Sequence, residues 1–385
     1  FDIETIVVAD QLGYQEVWVG EHFTAPWEPI PSPDILIAQA LLKTKNIRLG
    51  AGAHLLPYHH PVELAQRISY LDHLSKGRLL VGIGAGGLPS DAEIFNVDIK
   101  AGENRAMTRE ALDIMLFLWD QDTTGEFHGK FWTVRKPDPK KWEHVSLRHF
   151  LLPYQKPYPP IGLAGSSFNS RTLKVAGEKG FIPMSIGAGG DFLKSHWDSV
   201  REGALKSGLK PDRQKWRVLR DIWVADTDEE AINYARKGML SRAWREYLLP
   251  LFKEGENPTI HGYKHDLSVK TEDVNVDYML EHIWIVGSPK TVANKIRNLF
   301  EKDNNLVCIA CYQDNNFDLI KIINDEIKQT KIKLSTESIN LLIERASGDR
   351  NNLRNEVNKL KSFALNKQVV SYDQVKELTN MVGNY

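Results

Sequence analysis

Cysteine is nearly absent from this sequence of 385 residues, which holds only Cys308 and Cys311. Two cysteines cannot supply a disulfide framework, so the fold must rest on its apolar core, and we expect a reducing, cytoplasmic location. No run of about 18 apolar residues occurs, so the sequence predicts no membrane-spanning helix and no membrane partner. The first residues, FDIETIVVAD, also lack the charged and then apolar pattern of a secretory leader.

An excess of either charge is missing too. The 49 lysines and arginines balance 50 aspartates and glutamates, which leaves a formal net charge of -1. A chain without a basic field has no general attraction for nucleic acid, and one without an acidic excess has none for cationic partners. Histidines and carboxylates show no tight ligand spacing, so we expect no metal site. The motifs G-x-S-x-G and G-x-x-x-x-G-K-[ST] do not occur either.

The distribution of residue types divides the chain in two. All 10 tryptophans and all 18 prolines lie before residue 290, whereas 14 asparagines follow residue 296 and only eight precede it. This shift predicts two units of different origin, residues 1–296 and residues 297–385. A long-helix domain at the end of one ordinary protein could also be poor in glycine and proline, but it explains the asparagines less readily.

The first 296 residues alternate short apolar, β-branched runs with helical patterns. The predicted strands are residues 15–21, 47–53, 78–87, 159–167, 180–190 and 216–226. The predicted helices are residues 34–45, 61–77 and 105–121. The apolar stripe of the first predicted helix is Ile35, Ala38, Leu41 and Leu42. Strands that are apolar throughout suit a parallel sheet covered on both faces, which leaves an open doubly wound sheet or a closed (β/α)8 barrel.

Small residues at the carboxyl ends of the predicted strands favour the barrel. The strands finish in GEH, GAGAH, GIGAGG, AGSS and SIGAGG. In a barrel these ends meet at one mouth, where a flat ligand can approach the backbone. GIGAGG also fits the dinucleotide pattern G-x-G-x-x-G. However, it ends the third strand, and Leu88-Pro89 is expected to interrupt the helix that should open there. We therefore predict the α/β class with a (β/α)8 barrel.

Several separated strings carry a resemblance to a known family. EHFTAPWEPIPSPD, LPYHHP and LPSD resemble the bacterial luciferase-like flavin monooxygenases, in particular the limonene-monooxygenase-like branch, from about residue 1 to about residue 295. The resemblance implies an oxidoreductase that binds reduced FMN supplied by a separate flavin reductase and uses O2 as co-substrate. Through a C4a-peroxyflavin it would insert one oxygen atom into a small apolar, terpene-like organic substrate.

The same resemblance assigns the residues that follow the first predicted strand. His22 matches the family's catalytic histidine, with Glu21 beside it, and the proline-rich loop after them would keep water out of the pocket. The alternative is a capped strand end with a satisfied histidine, and Glu21 could merely orient a neighbour. Trp27, His59 and His60 are candidate substrate-pocket walls, although a helix-entry turn explains His59 and His60 equally well.

The cofactor site is assigned in the same way. The family carries a non-prolyl cis peptide beneath the flavin ring, which here corresponds to Gly52–Ala53 within Ala51–Ala53. Gly84 and Ala85 line the next strand end, although luciferase proper has an arginine where Ala85 stands, which leaves FMN or another flavin open. The candidate phosphate ligands are Ser166, Ser167, Asn169, Ser170 and Arg171. Simple small-residue strand ends and helix capping are the alternatives to these assignments.

The tail is predicted to be one strand followed by helices. Ser335 caps a helix that closes around Gly348, and Leu353, Val357 and Leu360 follow at helical spacing. The pattern resembles the delta subunit of the bacterial DNA polymerase III clamp loader, and covers only the end of its ATPase-like module and its helical lid. The resemblance implies no ATP hydrolysis. It leaves two alternative functions: a DNA-replication fragment whose only nucleic-acid link is this tail, or an inactive chimeric fusion.

The ends of the barrel are a further expectation. The family's first strand would precede Phe1, so the predicted barrel lacks its first strand, and NNLVCIACY at residues 304–312 would take the place of the last one. We predict no metal or redox role for its two cysteines, because residues three apart in a strand point to opposite faces. An open sheet edge favours association, and a homodimer is one expected outcome.

Overall fold

The computed structural model describes residues 2–138, 140–146, 151–187, 189–253, 258–301, 316–328, 330, 332–346, 350–364 and 369–379. The chain forms two compact units, Phe1–Leu306 and Val307–Tyr385. The first is an α/β unit and the second is helical. Whether the two units differ in origin, as the composition at residue 296 predicts, stays a prediction.

Parallel strands form the framework of the first unit. The strands among its described residues are β1 (Glu16–Val19), β2 (Arg48–Leu55), β3 (Leu79–Gly84), β4 (Gly125–His128), β5 (Thr133–Lys136), β6 (Ile161–Gly165), β7 (Ile182–Ser185), β8 (Arg217–Val218), β9 (Ile222–Val224) and β10 (Ile285–Gly287). Six of them form one wholly parallel sheet in the order β1-β2-β3-β6-β7-β8. β4 and β5 form an antiparallel hairpin, and β9 pairs with β10 in parallel.

Helices alternate with these strands and then make up the second unit. They are α1 (Asp2–Gln11), α2 (Pro33–Lys43), α3 (Pro61–Ser75), α4 (Pro89–Ile94), α5 (Glu103–Trp119), α6 (Arg171–Lys179), α7 (Gly190–Lys206), α8 (Asp228–Lys237), α9 (Met239–Ala243), α10 (Leu249–Lys253), α11 (Val276–Tyr278), α12 (Pro289–Glu301), α13 (Asn316–Ile327), α14 (Thr336–Ala346), α15 (Arg350–Phe363) and α16 (Tyr372–Leu378). The three helices predicted from periodicity are confirmed as α2, α3 and α5. None of the described helices is long and apolar enough to cross a bilayer.

Two sequence predictions about these elements are wrong. A helix does open directly after Leu88, because Pro89 occupies the first turn of α4, where its missing N–H costs nothing. The strand predicted over residues 216–226 is two strands in different sheets, β8 and β9, with Arg220 between them. Arg220 donates to the carbonyl of Gly187 and is half-buried, so the chain turns at a polar anchor rather than running straight.

The buried face of α2 also differs from the predicted stripe. Ile35 and Leu42 are 64% and 89% exposed, whereas Ile37 and Ala40 are fully buried. The other two predicted positions are partly buried and pack against the core, so half of the predicted stripe faces inward. Asp34 is buried as well, because partners on other elements compensate its charge.

The six-stranded sheet curls until its two edge strands approach each other. Among the described residues no backbone ladder joins β1 to β8, yet Arg217 in β8 donates to both carboxylate oxygens of Glu16 in β1, at 2.9 and 2.6 Å. An ion pair of this kind across a six-strand ladder requires a barrel-like sheet. The (β/α)8-type fold predicted from the strand ends is confirmed.

Glycines allow large side chains to fill the inside of the curled sheet. A Cβ atom on Gly50 would lie 2.9 Å from the Trp18 ring, and one on Gly162 would lie 2.8 Å from the sulfur of Met184. Outside the sheet, the apolar core lies against α2, α3 and α5 and includes Ile37 and Leu64. This packing fixes the strand ends relative to one another, which is what a site at the mouth needs.

The second unit packs helices α13–α16 around its own apolar core. The predicted positions Leu353, Val357 and Leu360 are all buried there. Ser335 accepts the backbone N–H of Ser338, which confirms the predicted cap. Gly348, both cysteines and residues 304–312 lie outside the described residues.

Candidate active site

The predicted site residues gather at one end of the sheet, here called the mouth. Because all six strands run in the same direction, their carboxyl ends lie on one side. Glu21 and His22 follow β1, Gly84 ends β3, and Ser166 follows β6. The sequence prediction that these separated residues share one site is therefore consistent with the topology of the sheet.

Glu21 joins the ends of two neighbouring strands. Its carboxylate is buried, and it accepts the backbone N–H of Leu55 and the Nε2–H of His59, each at 2.7 Å. Arg67 lies 3.3 Å from the other ring nitrogen of His59, and a guanidinium can only donate. The proton of His59 therefore sits on Nε2. These contacts suit the alternative in which Glu21 orients a neighbour, and its role stays a prediction.

A second buried carboxylate continues this network. Asp34 accepts from Arg67 Nε at 2.8 Å and from His54 Nε2 at 2.7 Å. Burial alone would raise the pKa of Asp34, but hydrogen bonds and charge from His54 and Arg67 hold that pKa down to about 2. His54 donates a hydrogen bond from Nε2 to Asp34. Its Nδ1 is buried and has no hydrogen-bond partner among the described residues.

His22 is held by an aspartate that the sequence analysis did not single out. Asp91 on α4 is fully buried, and its Oδ2 lies 3.2 Å from His22 Nδ1. Its Oδ1 accepts the N–H groups of Phe23 and Thr24 and the Thr24 hydroxyl, at 3.1, 2.8 and 2.6 Å. An N–H group at His22 Nδ1 has its acceptor in Asp91 Oδ2. The string LPSD contained Asp91, but nothing in its spacing reveals contact with a residue 69 positions earlier.

The other nitrogen of His22 faces the proline-rich loop. His22 Nε2 lies 3.2 Å from Glu28 Oε2, which also accepts the Tyr247 hydroxyl at 3.1 Å. The Tyr247 ring stacks on Trp27, with centroids 6.3 Å apart and planes at 8°, and Arg242 lies 5.7 Å from the Trp27 ring centre. These contacts tie the loop to the segment that carries Arg242 and Tyr247. Tyr247 and Glu28 were missed because their partners are distant in sequence.

Tyr247 acts as a donor in this arrangement. Burial is the main cause that raises the pKa of its phenol well above the ordinary value, and the nearby Glu28 carboxylate adds to it. The hydroxyl thus stays protonated and donates to Glu28. Tyr247 lies in the π-helical turn Trp244–Leu248 between α9 and α10, a local geometry that often occurs at functional sites.

The end of β2 leaves bare backbone at the mouth. The peptide bond Gly52–Ala53 is cis, as the resemblance predicted. Gly52 is exposed although β2 has a strand on each side, while Ala51 is buried. No side chain larger than a methyl group stands at Gly52–Ala53. Gly84 and Ala85 on the neighbouring strand end are partly accessible as well.

A buried hydroxyl lies beside the end of β3. The oxygen of Tyr58 has no hydrogen-bond partner among the described residues, and a Cβ atom on Gly86 would lie 2.6 Å from it. Gly86 also has a φ of 73°, so glycine is needed there for two reasons. Burial, with the charges of Asp91 and Glu21, raises the pKa of Tyr58 to about 12. The hydroxyl is therefore a donor without an acceptor in the described part of the chain.

The loop between β6 and α6 carries the predicted phosphate ligands. Ser166 and Ser167 are partly accessible, Asn169 and Arg171 are exposed, and Ser170 is buried. Ser170 caps α6 by accepting the Leu173 N–H at 3.3 Å, so capping explains this residue. The helix starts at Arg171, and its first N–H groups point out of the amino end.

The two histidines of LPYHHP separate in the structure. His59 is half-buried and bound to Glu21, whereas His60 is exposed at the residue that precedes α3. The helix-entry interpretation suits His60, and only His59 lies with the residues of the mouth. Within the described part of the chain, no group of three or more histidine, cysteine, aspartate or glutamate side chains could hold a metal ion.

Comparisons with known proteins identify the family of the chain. The model of the family described as luciferase-like monooxygenase matches residues 3–303. The 3,6-diketocamphane 1,6-monooxygenase of Pseudomonas putida is 35% identical over 314 residues, which cover 78% of this chain and 82% of that protein. The limonene 1,2-monooxygenase of Rhodococcus erythropolis is 33% identical over 312 residues, covering 78% of this chain and 72% of that protein.

A solved structure extends the likeness to the fold. It is the oxygenating constituent of 3,6-diketocamphane monooxygenase from the CAM plasmid of Pseudomonas putida, a type II Baeyer-Villiger monooxygenase in complex with FMN. The two structures have a TM-score of 0.71 and 35% identity, over 79% of this chain and 83% of that one.

Proposed function

Because the chain belongs to the luciferase-like monooxygenase family, we propose that it is the oxygenating component of a two-component flavin system. It would use reduced FMN and O2 to insert one oxygen atom into a small apolar organic substrate. The observation that carries this proposal is His22 at the mouth, with Nδ1 bound to the buried Asp91 and Nε2 free to act on a ligand when Glu28 moves away.

The residues of the mouth fit a flat cofactor with a phosphate tail. Exposed backbone at Gly52–Ala53 gives a ring system a surface without protruding side chains. The unpartnered Tyr58 hydroxyl, buried against Gly86, is the kind of donor that a ligand oxygen would satisfy. The related diketocamphane monooxygenase binds FMN, and these two features support the same cofactor here.

The anion of the cofactor would lie at the start of α6. Hydroxyls of Ser166 and Ser167, the first N–H groups of the helix and the charge of Arg171 suit a phosphate group. Asn169 stands in a left-handed conformation at φ 51° and turns the loop toward the helix. Since Ala85 offers no charge at the end of β3, the preference for FMN over an uncharged flavin rests on this loop.

In this proposal Asp91 accepts the proton of His22 Nδ1, which leaves the lone pair of Nε2 to accept a proton from the ligand and return it once Glu28 has moved away. Glu28 is half exposed and contacts Nε2. Bound reduced flavin supplies the electrons that activate O2, and His22 controls the proton inventory beside it.

The proline-rich loop excludes water in the same scheme. Trp27 and Glu28 hold it to Tyr247, which closes one side of the mouth. Exclusion of water suppresses the side reaction in which reduced oxygen is released as H2O2 instead of being transferred to the substrate. Glu21 acts as a positioning residue through His59, and His59 and Trp27 are the side chains proposed to face the substrate.

Substrate class and partners follow from the relatives. Two of them are named for diketocamphane and limonene, and we propose a terpene-like, alicyclic substrate for this chain. The related solved structure is the oxygenating constituent of a larger system, so we propose a separate flavin reductase as partner. A homodimer and a cytoplasmic location remain predictions.

The test is an anaerobic titration of the whole chain with photoreduced FMN, followed by mixing with O2 and 3,6-diketocamphane or limonene. We expect saturable binding and an oxygenated product. His22→Ala should keep binding but release the oxygen as H2O2, while His60→Ala, at the exposed helix entry, is the matched control. A folded chain that binds no reduced FMN contradicts the proposal.

The origin of residues 297–385 is a separate question. We propose, as the sequence predicts, that they resemble the C-terminal part of the clamp-loader delta subunit in a chimeric chain. The composition change at residue 296 and the helices α13–α16 support this proposal. The family match ends at residue 303 and does not bear on it. The flavin titration of the whole chain tests whether the first unit works with this tail attached.

A further inference from the structure

His196 on α7 is fully buried and makes hydrogen bonds with both ring nitrogens. Its Nε2 lies 2.9 Å from the carbonyl oxygen of Ser167, and its Nδ1 lies 2.9 Å from the hydroxyl of Ser185. A carbonyl can only accept, so the imidazole proton sits on Nε2. The Ser185 hydroxyl then donates to Nδ1 while accepting the indole N–H of Trp216 at 2.8 Å.

This arrangement keeps the imidazole in one state. Burial is the cause that lowers the pKa of His196 to about 4, so the ring is neutral at physiological pH. Phe192 covers it, with ring centres 4.2 Å apart. His196 thus offers the Ser167 carbonyl a single, immobile donor.

The neighbouring residue makes a second tie to the same loop. Ser195 accepts the backbone N–H of Asn169 at 3.1 Å and donates its own proton to the carbonyl of Phe192 at 2.8 Å. Two adjacent side chains of α7 therefore hold one carbonyl and one N–H of the segment 166–170. Neither His196 nor Ser195 has a direct role in the flavin mechanism proposed above.

We propose that His196 is a positioning residue that prepares the loop between β6 and α6 for the phosphate of the cofactor. This inference rests on the proposed function. In a trans peptide the carbonyl and the following N–H point in opposite directions. With the Ser167 carbonyl turned to His196, the N–H of Phe168 points away from it, and no carbonyl dipole of that peptide opposes an anion in the loop.

Two flavins that differ only in the phosphate distinguish the possible roles of His196. Riboflavin carries the same ring as FMN but no phosphate, so a residue that acts through the phosphate loop affects FMN alone. A residue that merely supports the sheet would affect both flavins equally. The ratio of the two dissociation constants therefore separates positioning from general structure.

The two variants replace His196 by amide side chains of different length, glutamine and asparagine. His196→Gln places its amide nitrogen near the position of Nε2 and can still donate to Ser167. His196→Asn reaches only the position of Nδ1 and loses that bond. Ser199→Ala, one turn further along α7, removes a hydroxyl that donates to the carbonyl of Ser195 and is the matched control.

The experiment measures binding of reduced FMN and of reduced riboflavin to the whole chain, by quenching of tryptophan fluorescence without oxygen. We expect His196→Asn to weaken FMN binding about tenfold and to leave riboflavin binding unchanged, because a buried carbonyl loses its donor. His196→Gln and Ser199→Ala should keep the wild-type preference for FMN.

Each other outcome overturns the inference. Equal losses for both flavins would make His196 a general structural residue, and unchanged FMN binding in His196→Asn would show that the bond to Ser167 is irrelevant. If His196→Asn does not fold, Ser185→Ala, which removes the hydroxyl that holds Nδ1 and so loosens the orientation of the ring, must lower the FMN preference on its own. A wild-type chain that binds neither flavin defeats the proposed function, whereas one that binds both without preference defeats this inference alone.

Discussion

Replacement of Asp91 by asparagine exchanges the carboxylate oxygen that faces His22 Nδ1 for an amide nitrogen. If the amide oxygen takes the place of Oδ1, the N–H groups of Phe23 and Thr24 and the Thr24 hydroxyl keep their acceptor. The amide nitrogen then faces His22 Nδ1, and two donors cannot bond to each other. His22 must shift its proton to Nε2, the atom that is proposed to act on the ligand.

The size of the effect follows from the bond that is lost. A hydrogen bond to a charged group contributes roughly 1.5–3 kcal/mol, and about 1.4 kcal/mol corresponds to a tenfold change in rate. We expect Asp91→Asn to lower the oxygenation rate by about 10- to 100-fold, with a loss of stability near 1 kcal/mol. Asp91→Ala also strips the two backbone N–H groups of their acceptor, which should cost about 2–6 kcal/mol of stability.

Stopped-flow mixing of the reduced-FMN complex with O2, with product and H2O2 measured separately, gives the rate. Urea unfolding gives the stability. Asp98→Asn is the matched control, because Asp98 lies in the same region and its side chain accepts the N–H of Ala101 rather than contacting His22. A wild-type product yield in Asp91→Asn would refute the proposed role of Asp91 as the acceptor for His22 Nδ1.

Three further predictions concern other parts of the first unit. Acid should destabilise the chain partly through His196, whose pKa in the folded protein is about 4, below the ordinary 6.5. Between pH 6.5 and 4 the unfolded chain binds a proton that the folded chain does not, so the free energy of unfolding falls by up to about 1.4 kcal/mol per pH unit. Urea unfolding at several pH values should show a shallower fall for His196→Gln; an identical fall contradicts this. Arg217→Met should cost about 1–2 kcal/mol of unfolding free energy, because Glu16 loses the partner that joins the sheet edges; unchanged urea midpoints would argue against closure by this pair. Trp27→Ala should release the loop from Tyr247 and raise the share of O2 recovered as H2O2, and an unchanged peroxide yield would count against the loop as a water barrier.

The order of strands and helices could be predicted because each depends on residues close together in the chain. Apolar runs that end in glycine and alanine indicated β1, β2 and β3, and helical spacing indicated α3 and α5 with bounds within two residues. The cis peptide Gly52–Ala53 followed from the resemblance, not from local propensity.

Electrostatic partners could not be predicted, since each pair joins elements far apart in sequence. Asp34 is buried because His54 and Arg67, which come from other elements, hydrogen-bond to its carboxylate, and nothing near Asp34 in the sequence indicates these partners. Asp91 was part of a recognised string, but its contact with His22 exists only because α4 packs beside the end of β1.

The sequence by itself determined the family, the parallel βα architecture and the small, bare strand ends, since these depend on local pattern and on residue identity. Only the tertiary structure decided which atoms carry protons at the mouth. The tautomers of His59 and His196 follow from acceptors and donors on other elements. A proton position depends on distances of about 3 Å between side chains, and such distances arise only when the sheet curls and its helices pack.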